Sequence, residues 1–196
     1  SFIENKIQPH RIKIIYGDNW SDILQNQIFQ KNTVEENKYW KKKKPQESLD
    51  FFLKCLGIES EEEVSLGIGL SQIALNRDKE AKETLTKVIS SANNPYAHYH
   101  LGLLFFSSNQ AVAVHHLKKS SNNKDLMSDS LLLLSKLFKN ENNLSQAKKC
   151  LVQGILKSPK KSTFMYSLGV IYLQEKNFQV ALKYFEETSQ EKQFEE

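Results

Sequence analysis

Four histidines crowd into one stretch of this 196-residue chain, His98, His100, His115 and His116, with His10 far upstream. Imidazoles are the side chains that hold borderline metals or move protons near neutral pH, so their mutual geometry is the first question. Residues two apart on a helix point about 200° apart and neighbours about 100° apart, so neither close pair can share a ligand. One member of each pair can meet the other across two helices, but no Asp, Glu or Cys completes a metal set. They read as packing or surface histidines.

Cys55 and Cys150 lie far apart in helical patterns with apolar neighbours, without a CxxC or zinc spacing, and read as buried free thiols. No Gly-rich phosphate loop, G-x-S-x-G elbow or H-E-x-x-H occurs, and the carboxylates are scattered. The expectation is a non-enzyme with no catalytic residue, no metal and no cofactor.

One basic cluster remains: Lys41, Lys42, Lys43 and Lys44, just after Lys38, Tyr39 and Trp40. Such interleaving can hold phosphate, anionic lipid or single-stranded nucleic acid. Glu35, Glu36 and Glu47 dilute its field, and a solvated connector before Pro45 is the plainer reading. The whole chain carries 27 Lys and Arg against 23 Asp and Glu, for a net charge of +4, and only Arg11 and Arg77 are arginines. Nucleic acid is disfavoured, because base and phosphate reading favours the bidentate guanidinium that Lys lacks.

In the elements that carry these residues, self-similarity is the dominant signal. A small residue preceded by a large aliphatic recurs at Ile68-Gly69, Leu101-Gly102, Leu134-Ser135 and Leu168-Gly169, at spacings of 33, 33 and 34. Three residues on stand Gln72, Phe105, Phe138 and Tyr172. A second small residue follows at Ala81, Ala113, Ala147 and Ala181, then four residues later Leu85, Leu117, Leu151 and Phe185. At helical spacing each unit is an antiparallel helix pair. Small residues sit where two backbones approach, and the large ones fill the space beside them. Short polar breaks fall at Asn76, Ser108-Asn109, Asn122-Asn123, Asn140 to Asn143 and Lys176-Asn177. Ser60 with Glu63 makes a capping box, and Asn94-Pro95 marks another helix start.

This pattern resembles the tetratricopeptide repeat, W-x-x-L-G-x-x-Y, then Ala-x-x-x-Phe, then Pro. Residues 162–195 carry Leu168, Gly169, Tyr172, Ala181 and Phe185, with Met165 in place of the Trp; residues 128–161 close with Pro159. Residues 95–127 have one residue deleted between helices, and residues 62–94 depart most, with Gln72 at the aromatic position. The expected fold is all-α, a right-handed α-solenoid of about four such helix pairs over residues 61–196. Residues 1–60 form an N-terminal extension: a short strand or extended segment over Arg11 to Tyr16, helices near Trp20 and Tyr39, and a helix from Gln46 to Leu56. Leu49, Phe52, Leu53 and Leu56 share one side of that last helix, which is a degenerate repeat or a lid on the first true one.

The resemblance implies a concave surface lined by the first helix of each pair, where partner proteins bind. Its lining maps to Leu66, Leu70, Tyr99, Leu103, Leu132, Lys136, Tyr166 and Val170, flanked by Tyr96, Phe106 and Leu173. Some family members grip a carboxylate tail with a Lys and an Asn; here Lys136 stands without that partner. The groove is therefore expected to take an apolar or amphipathic segment, unless residues 1–30 or a second copy cover it. Val180, Leu182 and Tyr184 on the last helix are expected to face outward as a self-association end, since solenoids need a polar cap. The functional expectation is a protein-interaction scaffold, adaptor or chaperone, possessing as its alternative a nucleic-acid or anionic-surface role for Lys41 to Lys44, including peripheral membrane contact. The compartment stays open between a cytoplasmic factor and a soluble exported or membrane-anchored bacterial domain whose leader precedes Ser1.

Overall fold

The structure is a computed structural model that describes residues 45–55 and 61–193. The chain divides into two compact units, Ser1–Ala97 and His98–Glu196. Among the described residues all regular structure is α-helical.

The first unit holds α1 (Pro45–Cys55), α2 (Glu61–Ala74) and α3 (Asp78–Ala92), packed in sequence order. Leu49 and Phe52 are buried on one side of α1. The Phe52 ring lies where Gly67 of α2 presents bare backbone, 2.6 Å from where a Cβ would stand. Leu53, expected on the same side, is 48% exposed. Gly69 of α2 meets Leu85 of α3 in the same manner, at 2.7 Å from its missing Cβ. Asn76 and Asn93 take the left-handed conformation, at φ 58° and 49°, which Asn tolerates better than most residues and which ends α2 and α3 sharply.

Asn94 then starts α4 (Pro95–Phe105): its Oδ1 accepts from the N–H of Tyr96 at 2.8 Å and of Ala97 at 3.1 Å. Its Nδ2 donates to Glu62 at 2.7 Å, tying the start of α4 to the start of α2. The Ser60 capping box lies outside the described residues.

The second unit contains the rest of α4, then α5 (Gln110–Ser120), α6 (Lys124–Asn140), α7 (Leu144–Lys157), α8 (Lys161–Gln174) and α9 (Phe178–Gln193). From α5 onward each helix packs on the next. Gly102 meets Leu117, and Gly169 meets Phe185, each with 2.7 Å between the missing Cβ and the nearest side-chain atom. These are the small and large positions that recur in the sequence, so the repeat encodes the closest approach within each pair. Gly154 of α7 meets the ring of Phe164 on α8, which carries the same device from one pair to the next.

Asn109, Asn123, Asn143 and Asn177 cap the following helices, accepting from Val112, from Asp125 and Leu126, from Gln146 and from Val180. With Asn123 as cap, α6 starts at Lys124, directly after the polar break expected at Asn122-Asn123. Inside the unit, buried hydroxyls satisfy one another: Ser120 with Ser130, and Ser128 with Ser158, both at 2.7 Å. The pairs α2–α3, α4–α5, α6–α7 and α8–α9 are the α-solenoid class expected from the sequence.

Candidate partner-binding site

The first helix of each pair supplies the residues expected to bind a partner, and burial separates them. In the first unit Leu66 is buried, while Leu70 and Tyr96 are half-buried. In the second unit Tyr99 is 8% exposed, edge-on to His100 at 5.3 Å. Burial, then the nearby Asp129 carboxylate, pushes its phenol up to about 12. Leu66 and Tyr99 are thus buried rather than offered as free faces. Leu103 is exposed at the end of α4, Phe106 just beyond is half-buried, Leu132 on α6 is half-buried, and Lys136 is exposed.

On α8 the arrangement is different. Tyr166 is 56% exposed, Leu173 is 48% exposed and Val170 between them is half-buried. Positions i, i+4 and i+7 form one stripe of a helix, so these three side chains make a continuous apolar edge. Phe185 of α9 braces the Tyr166 ring at 5.6 Å. An aromatic side chain held on one side and open on the other is a preformed anchor for an apolar group.

At the last helix Leu182 is 58% exposed, and Val180 and Tyr184 are half-buried. Tyr184 stacks on Tyr172 with rings 5.6 Å apart and 5° from parallel. Lys148 Nζ lies 5.0 Å from the centre of the Tyr172 ring and reaches both Glu175 oxygens at 2.8 and 2.9 Å. Tyr184 is therefore engaged in packing on its ring face. Lys41, Lys42, Lys43 and Lys44 lie outside the described residues.

The histidines do meet across helices. His98 Nδ1 on α4 and His116 Nδ1 on α5 are 2.8 Å apart, so one ring donates N–H and the other accepts. Phe105 stacks on His116 at 6.2 Å, and His115 lies edge-on to it at 5.3 Å. Burial, then His98 and His115, pulls His116 down to about 4; burial, then His115 and Lys119, lowers His98. The pair is neutral at pH 7 and shares one proton. Among the described residues no three His, Cys, Asp or Glu come together as a metal set. Cys150, expected buried, is half-buried, and burial raises its thiol pKa against the opposing influence of Lys118.

Residues 63–92 and residues 162–187 each match a tetratricopeptide repeat family model. These matches place tetratricopeptide repeats at the first and the last of four helix pairs that share one register, and such repeats typically serve as protein-interaction scaffolds. Among solved structures, a crystal structure of MamA is similar at a TM-score of 0.69 and 18% identity, covering 83% of this chain and 96% of that one. MamA from Desulfovibrio magneticus RS-1, residue 41 to the end, is similar at a TM-score of 0.63 and 15% identity, covering 74% and 84%. Identity at that level carries the fold. No curated protein matches the chain in sequence.

Proposed function

We propose that this protein is a non-catalytic adaptor, scaffold or chaperone that holds an apolar or amphipathic segment of a partner protein against the first helices of its pairs. The observation that carries the reading is the stripe of Tyr166, Val170 and Leu173 on α8, with Tyr166 braced by Phe185 and open to solvent. Leu103 on α4 adds a further exposed apolar side chain within the same unit. An amphipathic helix or extended segment supplies anchors at the matching spacing. Lys136, without the Asn partner of a carboxylate clamp, argues against recognition of a chain terminus. The exposure of Leu182 supports a second contact, with another copy, at the last helix.

A photo-crosslinking residue placed at position 166, with one at exposed position 153 as control, tests the reading. Partner proteins crosslinked from 166 and not from 153 support it; the same products from both positions overturn it. Sedimentation across micromolar concentrations tests the second contact, and a monomer throughout removes it.

A further inference from the structure

From Asn142 to Gln174 the chain holds five lysines and no Asp or Glu. Two of these lysines are matched within the fold, Lys148 by Glu175 at 2.8 Å and Lys160 by Asp129 at 3.3 Å. Lys149, Lys157 and Lys161 are exposed. On α7 the buried positions are Ala147, Leu151 and Gly154. Lys149, Val152 and Leu156, at i, i+3 and i+7, share the opposite side of that helix.

Val152 is 44% exposed and Leu156 is 76% exposed. The neighbouring pairs show that the fold does not require apolar side chains there. In register with Val152 stand Lys118 after α5's midpoint and Glu186 on α9, and in register with Leu156 stand Asn122 and Gln190. This face of α7 is thus apolar at its centre and cationic at its edges, where its counterparts are polar.

We infer that the outer face of α7, Lys149, Val152, Leu156 and Lys157, with Lys161 beyond it, docks on an anionic lipid surface. Charge complementarity is the first reason: three exposed ammonium groups, without an ion pair among the described residues, surround two solvent-facing aliphatic side chains. The form of the face is the second. Val152 and Leu156 stand one turn apart on a single outward helix, so they offer short insertions into a headgroup layer rather than a pocket for a partner's anchors. Lysines, as point charges without a fixed fork, suit a field of mobile phosphates better than a fixed carboxylate geometry. This surface is separate from the Tyr166 stripe, so one can fail without the other.

The test is flotation of the full chain with equimolar phosphatidylcholine and phosphatidylglycerol vesicles, with pure phosphatidylcholine vesicles as control. Three variants accompany the wild type: Lys149→Glu with Lys157→Glu, Val152→Ser with Leu156→Asn, and a Lys41 to Lys44→Ser set. The first two alter exposed positions, and circular dichroism confirms their helix content. The inference expects wild type to float with anionic vesicles only, to be released by about 0.5 M salt, and to lose about tenfold or more in affinity in each α7 variant. No flotation of wild type, equal flotation on neutral vesicles, or unchanged flotation of the α7 variants overturns it. Loss confined to the Lys41 to Lys44 set also overturns it. So does binding to poly-L-glutamate that is lost in the α7 variants while vesicles are ignored, because that outcome assigns the face to an acidic protein.

Discussion

The Nδ1 atoms of His98 and His116 approach to 2.8 Å across α4 and α5, a distance that holds one proton and has no room for two. His116 titrates at about 4 when folded, against an ordinary value of 6.5 in the unfolded chain. The unfolded state therefore takes up a proton first as pH falls. The contribution is fully present above pH 6.5 and is lost as pH drops toward 4, and the lowered His98 acts in the same direction. The expected loss from this pair is about 1–3 kcal/mol. Urea midpoints at several pH values across that window should fall more steeply in wild type than in His116→Gln; parallel curves contradict the assignment.

Gly154 faces the Phe164 ring so closely that a Cβ has no space between α7 and α8. Replacing a mid-helix glycine by alanine ordinarily stabilises by up to about 1 kcal/mol. Here Gly154→Ala is expected to destabilise by about 1–3 kcal/mol, because Phe164 is fully buried and must be displaced. Chemical denaturation decides the sign, and a stabilised variant would show that the contact between these pairs yields easily.

The close approaches were legible in the sequence because they repeat: Gly69 with Leu85, Gly102 with Leu117 and Gly169 with Phe185 each recur in register. Polar breaks rich in Asn were legible for a similar reason, since capping and left-handed turns select the same side chain. Burial of individual groove residues was not. Tyr99 and Tyr166 occupy one repeat position, yet Tyr99 is 8% exposed and Tyr166 is 56% exposed. The repeat position does not fix the neighbours: His100 stands edge-on to Tyr99 with Asp129 nearby, whereas Phe185 braces Tyr166. Leu53 shares the side of Leu49 yet is 48% exposed, because helical spacing does not say how wide the covered strip is. The start of α6 was legible from the break at Asn122-Asn123, because Asn123 caps the helix that follows it.

Turns at the helix ends give a prediction of opposite sign to the usual lysine-to-glycine cost. Lys176 sits at φ 60°, a conformation that costs about 1–2 kcal/mol for most side chains. Lys176→Gly is expected to raise stability by about 0.5–1 kcal/mol, whereas Asn123→Ala, which removes acceptors for Asp125 and Leu126, is expected to lower it by about 1 kcal/mol. Thermal unfolding of the two variants side by side checks both signs.

The central claim is that a partner segment binds across Tyr166, Val170 and Leu173. The most direct test is affinity capture from extract of the source organism, comparing wild type with a folded Tyr166→Glu, Leu173→Glu variant by mass spectrometry. Both side chains are about half-exposed, so charge is tolerated in the free protein and penalised only under a bound apolar segment. The account predicts that a defined protein retained by wild type is lost from the variant. Retention of the same proteins by both would contradict it.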